Sequence, residues 1–366
     1  MKIFRTYILP LFGFGVLGLG AFLFANRPAA KFEKIKFIDV KNDQSQFAAM
    51  IKALGVQKTM AKLLTESGGG SAFDCHQEAH EVGRVGYQIE GNKVFAECDS
   101  SCHSGCYHGA MEGLLHEKGS KNLVHDVNEV CDIFDTRFGT FECFHGVGHG
   151  LLAYVAYDMP KGIDECKRLD TKEKGLFCLS GLFMENVVTA QGWGASKQAH
   201  TTNWVSKTDP HFPCNALSQD YDTQYTCYHM QTSWMLTMYG YDFDKVSAAC
   251  LTAPKDMIPV CFESFGRDVA GQTLRDPKKI LNLCTKAPDQ YFEQCISGAV
   301  QVIIDFWGPG LKNQASVLCA SVPENHKTSC YSIVGSRLND LFKSGAPERK
   351  AVCDSFEASY QHLCTP

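Results

Sequence analysis

The cysteines constrain this chain more than any other feature. Eighteen are present, all beyond residue 70, and seventeen fall into two interleaved ladders. One runs Cys75, Cys106, Cys143, Cys178, Cys227, Cys261, Cys295, Cys330, Cys364, with steps of 31, 37, 35, 49, 34, 34, 35 and 34 residues. The other runs Cys98, Cys131, Cys166, Cys214, Cys250, Cys284, Cys319, Cys353, with steps of 33, 35, 48, 36, 34, 35 and 34. Cys102 alone stands outside both. A period near 34 shared by two ladders marks stacked supersecondary units, each too small to bury its apolar face alone.

Each unit reads as two helices. Residues from Cys295 to Phe306 are apolar on one helical face, and Gly308-Pro309-Gly310 then breaks the pattern. A second, shorter helix follows and ends near Cys319. Pro254, Pro288 and Pro323 each stand seven residues before a first-ladder cysteine, and proline suits a first helical turn. The expected fold is all-α: a right-handed superhelical solenoid of about eight disulfide-stapled helical-pair repeats. The period matches tetratricopeptide arrays, but their Trp, Leu-Gly and Tyr signature is missing, so the likeness is geometric only. One unit is abnormal. About 13 extra residues lie between Cys178 and Cys214, among them Gly192-Trp193-Gly194, His200, Trp204, Pro210 and His211. Insertions in such arrays emerge as loops on one face, often the binding face.

The even cysteine count and the absence of any Cys-x2-Cys pair favour disulfides over zinc thiolates. Pairing inside a hairpin, such as Cys295 with Cys319, strands Cys364 and Cys102 at opposite ends. Pairing each second-ladder cysteine with the next first-ladder cysteine leaves only Cys75 and Cys102, which can join each other. Each short closed loop then constrains the unfolded chain by roughly 3 kcal/mol. Such a framework belongs in an oxidising compartment, a bacterial periplasm or the cell exterior.

The first residues agree with export. Lys2 and Arg5 precede an uncharged run from Tyr7 to Ala25, nineteen residues, the length of a membrane span. Residues 1–30 therefore read as a membrane anchor. A signal cleaved near Ala25 or Pro28-Ala29-Ala30 is the alternative. Residues 31–71 form a lead-in, helix-like from Gln46 to Leu64 and ending in the flexible stretch Ser67-Gly68-Gly69-Gly70-Ser71. Residues 72–366 form the cysteine-rich repeat domain, in the periplasm on an inner-membrane tether or outside the cell. A net charge of −5 implies neither nucleic acid nor an anionic membrane surface as partner. No phosphate loop, nucleotide fingerprint, Gly-x-Ser-x-Gly or Ser-His-Asp order is present.

Histidines are unevenly spread: nine of 13 lie between residues 76 and 200. Cys-x-His places His108, His145 and His229 at one repeat position, where other units carry Ser180, Glu263, Ser297 and Ser332. His76/His80 and His145/His149 are spaced four apart, which puts two imidazoles on one helix face. His76, His80, His108, His145 and His149, with His229 from the fifth unit, are the candidate metal ligands. Imidazole without thiolate suits copper, iron or zinc. Glu112 and Glu78, with Glu81 nearby, are candidates for ligand, ligand partner or general base. Gly146, Gly148 and Gly150 in one helix start, and Gly109 and Gly113 in the unit before, signal close approach by a backbone or a bound species. A lone histidine is ordinarily a packing or surface residue, and His116, His125, His200, His211, His326 and His362 are read that way. Cys98-Asp99-Ser100-Ser101-Cys102-His103 resembles a c-type haem attachment site with one residue too many.

The expected function is an exported, membrane-tethered, histidine-ligated metalloprotein. A copper or iron oxidoreductase is favoured over a zinc hydrolase, with its site in the N-terminal half of the groove and a peptide or protein partner in the concave face. The alternative is a non-catalytic scaffold for a protein or cell-wall partner, with the Trp193 to Trp204 insertion as its recognition loop.

Overall fold

Seven residues before each first-ladder cysteine of the regular units stands a residue that starts a helix. Thr136, Thr171 and Asp220 do so by accepting the backbone N–H groups of Gly139, Lys174 and Thr223 with their side chains. Pro254, Pro288 and Pro323 occupy the same register. They cap the helices from one position outside, rather than standing in the first turn as expected, and a missing N–H costs nothing there.

The structure, a computed structural model, describes residues 32, 34–40, 43–67, 75–99, 101–102, 104–192, 201–217, 220–305 and 314–364. Among these the chain is all-helical. Helices α1 (Gln44–Leu54) and α2 (Val56–Glu66) lead in. Long and short helices then alternate: α3 (His76–Glu90), α4 (Gly105–Lys118), α5 (Leu123–Cys131), α6 (Arg137–Tyr154), α7 (Met159–Lys167) and α8 (Lys172–Ala190). The series continues with α9 (Tyr221–Met238), α10 (Phe243–Cys250), α11 (Ile258–Gln272), α12 (Pro277–Cys284), α13 (Phe292–Asp305), α14 (Gln314–Ser321), α15 (Glu324–Leu341) and α16 (Pro347–Cys353). Three long helices end alike: Tyr157, Tyr241 and Arg275 take φ of +61°, +63° and +62°. Their N–H groups bond back to the carbonyls of Leu152, Leu236 and Ala270 at 2.9, 2.7 and 2.8 Å, closing the helix and turning the chain.

The long helices pack as a row, α3 on α4, α4 on α6, α6 on α8, α8 on α9, α9 on α11, α11 on α13 and α13 on α15. The row curls back, because α15 also touches α6. Arg137 meets Asp340 there at 3.2 Å, Lys343 pairs with Asp135, and the Arg337 guanidinium lies 5.7 Å from the Phe138 ring. Buried Phe144, Leu151, Leu182 and Phe183 fill the seam of α6 and α8, and Phe262, Phe265, Ile303 and Val334 continue the core toward the C-terminus.

All eighteen cysteines are paired. The bonds are Cys98–Cys106, Cys131–Cys143, Cys166–Cys178, Cys214–Cys227, Cys250–Cys261, Cys284–Cys295, Cys319–Cys330 and Cys353–Cys364, with Cys75–Cys102 as the ninth. Cys131, Cys166, Cys250, Cys284 and Cys319 sit at or near the ends of short helices and are tied to the next long helix, Cys214 does the same from a turn, and Cys353 is tied to the C-terminal segment. Nine disulfides indicate an oxidising compartment, periplasmic or extracellular. Both thiols of the haem-like stretch are consumed by disulfides, so that resemblance carries no haem attachment.

Two expectations need correction. The lead-in is not one helix from Gln46 to Leu64: Gly55, at φ +80°, ends α1 and starts α2 in a new direction. The long insertion does not add a loop to a regular pair. Residues 201–217 form turns where other units have their short helix. Trp204 is half-buried, stacks on Phe212 at 6.0 Å, and donates Nε1–H to the Tyr157 carbonyl at 3.1 Å. Trp204 is thus a packing residue, while residues 193–200 of the expected recognition loop, Trp193 and His200 among them, lie outside the described residues. So do the apolar run 7–25 and residues 68–71 of the linker. Among the described residues no helix is long and apolar enough to cross a membrane.

Candidate metal centre

The inward faces of the long helices carry polar residues two and six places after each cysteine. In α4 these are His108 and Glu112, in α6 His145 and His149, in α8 Ser180 and Met184. Helix α3 begins just after Cys75, and its His76 and His80 stand one and five places after that cysteine. The four helices approach as two tight pairs. A Cβ on Gly109 of α4 would lie 1.8 Å from the His80 carbonyl oxygen, and one on Gly181 of α8 would lie 1.8 Å from that of His145. The reciprocal Gly83 and Gly148 are equally close to the carbonyls of Cys106 and Cys178. Of the two readings open for Gly109 and Gly148, backbone contact is the one realised.

This approach gathers five histidines. His80, His108, His145 and His149 are 1%, 1%, 5% and 1% exposed, and His76 is half-buried beside them. Burial holds His80, His108 and His145 well below the ordinary imidazole pKa. It takes His76 down to about 4, against the opposing hydrogen bond to Cys102. Those four rings, His76, His80, His108 and His145, are therefore neutral, the form that binds metal.

Their tautomers follow from their partners. The Cys102 carbonyl only accepts, so His76 donates to it through Nδ1 at 2.9 Å. Ser180 gives its one proton to the Phe177 carbonyl at 2.7 Å, so its oxygen accepts from Nδ1 of His145 at 2.8 Å. Glu185 accepts from Nδ1 of His149 at 2.8 Å, and from the hydroxyls of Tyr157 and Thr189 at 2.7 and 2.9 Å. Oε1 of Glu112 lies 2.9 Å from Nδ1 of His80, and its other carboxyl oxygen stands 3.5 Å from the Arg84 guanidinium. Burial pushes the Glu112 carboxyl up, and Arg84 opposes that shift.

With their protons on Nδ1, His76 and His145 turn Nε2 lone pairs toward Nε2 of His80 and His149. The Nε2 atoms of His76 and His80 are 3.1 Å apart, and those of His145 and His149 are 3.2 Å apart. Two nitrogens bound to one ion at about 2.0–2.1 Å in tetrahedral geometry lie roughly 3.3 Å apart. His108 lies between the pairs, its ring nearly parallel to His149 at 4.4 Å and 5.2 Å from His80. Both its ring nitrogens are buried without a hydrogen-bond partner. Ligand atoms of His76, His80 and His108 all fall within 4.8 Å of one another, and so do those of His108, His145 and His149. The residues fit a metal ion in donor type, protonation and spacing.

The other candidates stand apart. His229 stacks on Tyr225 at 5.9 Å, its carbonyl accepts from Arg267, and it joins neither group. It lines a cavity of about 540 Å³ whose wall also includes His108, His145, Ser180, Met184 and Arg267. Glu78 is half-buried on α3 and acts on His76 through its charge. Glu81 is paired with Arg84 at 3.1 Å.

Sequence reasoning missed Glu185, Ser180 as a hydrogen-bond partner, and Met184. The available signal was the six-residue offset: Glu112, His149 and Met184 share it, and Glu185 is the next residue. The chain matches no family model, no curated protein and no solved structure at a significant level.

Proposed function

We propose that this is an exported metalloprotein whose ion or ions are held by His76, His80, His108, His145 and His149, and that it is a copper or iron oxidoreductase. One observation carries the reading: two pairs of Nε2 atoms turned on each other, with a third buried imidazole unpartnered between them. Nitrogens at that separation are bridged by a proton or by a metal ion, and five imidazoles gathered at one buried point favour the ion. Glu112 and Glu185 fix the tautomer and direction of His80 and His149, the usual part of a carboxylate behind a ligating imidazole. That geometry suits Glu112 better to an orienting role than to a general base. The cavity beside His108 and His145 is where a substrate would reach the metal, and its aromatic wall, Phe138, Phe141, Phe177 and Tyr225, suits a peptide or protein side chain.

The same proposal includes the overall form. The recurring caps, turns and disulfides, and the row of long helices, support a right-handed solenoid of about eight helical pairs. Residues 7–25 would tether it to the inner membrane with the repeats in the periplasm. The competing reading is a scaffold without catalysis, in which the same aromatic cavity holds a partner.

The test is elemental analysis of the full-length protein, purified in detergent from an oxidising compartment without added metal. Near-stoichiometric copper or iron is expected, and His145→Ala/His149→Ala and His76→Ala/His80→Ala should each lose metal while remaining disulfide-bonded. Folded protein that contains no metal and takes up none leaves the scaffold.

A further inference from the structure

The two histidine pairs are alike in their nitrogens but not in what stands beside them. Next to the α6 pair is a thioether. Sδ of Met184 lies 3.4 Å from Nε2 of His145, which in turn lies 3.2 Å from Nε2 of His149. This is not an N–H···S hydrogen bond, because the proton of His145 is on Nδ1, held by Ser180. Both atoms present lone pairs, so nitrogen and sulfur converge on one point without a proton to share.

The placement of Met184 follows from the fold. It occupies on α8 the inward position six after the cysteine that His149 occupies on α6 and Glu112 on α4. The backbone contact at Gly148 and Gly181 brings α8 close enough for its side chain to reach the histidines of α6. Met184 is half-buried and lines the cavity, so its sulfur stands between the histidines and the space a substrate would enter. For ligands bound at about 2.0–2.1 Å through nitrogen and about 2.3 Å through sulfur, tetrahedral geometry separates N from S by roughly 3.5 Å. The observed 3.4 Å is close to that value.

We propose that Met184 is a metal ligand, and that His145, His149 and His108 with its thioether form a site selective for copper(I). The inference rests on the metalloprotein reading above and deepens it. A thioether is a soft ligand that favours copper(I) over harder divalent ions, whereas an all-imidazole set accepts copper, iron, nickel or zinc. The His76/His80 group is instead backed by oxygen, the Cys102 carbonyl behind His76 and the Glu112 carboxyl behind His80. The protein therefore has two inequivalent metal positions that meet at His108.

The experiment is X-ray absorption at the copper edge on full-length protein loaded anaerobically with copper(I) alone, with chelator competition for affinity. The wild type should show a sulfur scatterer near about 2.3 Å beside its nitrogens. Met184→Leu, which keeps the side-chain volume, should lose that scatterer and weaken copper(I) binding at least tenfold. Its zinc affinity should change less than threefold. Met230→Leu, at the other methionine of the cavity, should leave the sulfur shell intact. Bound copper with a nitrogen-only shell, or a sulfur shell unaffected by Met184→Leu, overturns this inference and leaves the histidine site standing. Protein that binds no metal of any kind overturns both.

Discussion

Gly109→Ala puts a single methyl group where two backbones already touch. Its carbon would lie 1.8 Å from the His80 carbonyl oxygen, and side-chain carbons do not approach such atoms below 3.0 Å. The difference, 1.2 Å, is the least by which α4 and α3 must part, since the obstacle is backbone and cannot rotate away. The same movement stretches the 2.9 Å bond between His80 and Glu112 past hydrogen-bonding distance. Overpacking costs about 1–3 kcal/mol and the broken buried bond about 1–3 more. Replacing a helical glycine by alanine returns about 1 kcal/mol. The expected net loss is about 1–5 kcal/mol in urea unfolding followed by tryptophan fluorescence, with weaker metal retention. Gly175→Ala is the control, because its nearest neighbour is the Cys166 carbonyl oxygen at 3.3 Å. A Gly109→Ala protein as stable as the wild type, or about 1 kcal/mol more stable, would show that helix propensity governs the site and refute the close-contact argument.

Three further outcomes follow from the same geometry. Glu185→Gln removes the carboxylate behind His149 and should lower metal affinity roughly 10–100-fold in chelator competition; unchanged affinity would mean Glu185 does not orient the ligand. Burial raises the Glu142 carboxyl to about 7, so its contribution to stability is whole below the ordinary 4.5 and is lost as pH rises toward 7. Glu142→Gln should therefore gain on the wild type between pH 4.5 and 8, by on the order of 2 kcal/mol given its partial exposure, and a pH-independent difference between the two melts would contradict this. Arg337→Ala removes the guanidinium that α15 holds 5.7 Å from Phe138 of α6 and leaves Asp305 of α13 without its 2.7 Å partner, and should cost at most about 3 kcal/mol, because the pair is partly exposed. A melt that does not move would mean the seam contributes nothing to stability.

The helices and disulfides were legible for one physical reason: in a row of similar units, local spacing recurs and can be read directly. The 34-residue ladders led to the observed pairing of every cysteine. The caps were half visible. Pro254, Pro288 and Pro323 stood out, but Thr136, Thr171 and Asp220 in the same register did not, because a threonine or aspartate alone is a weak signal. The five histidines that come together were readable from four-residue spacing and repeat equivalence, and His229 was wrongly grouped with them by that equivalence. Its helix, α9, is two long helices beyond α6 in the row. Glu185 lies 36 residues from His149, and only the approach of α8 to α6 brings them together. Met184 was invisible for a different reason, since one methionine among ten has no pattern. Trp204 looked like an exposed recognition residue because the missing short helix that it replaces could not be seen from the insertion length.

The central claim is that an ion sits between the facing histidines. Crystals of protein purified without added metal, measured just above and below the copper and iron absorption edges, test it most directly. The account predicts an anomalous peak within bonding distance of Nε2 of His145 and His149, His76 and His80, or both pairs. A folded site with no peak there, or a peak only at other residues, would contradict it.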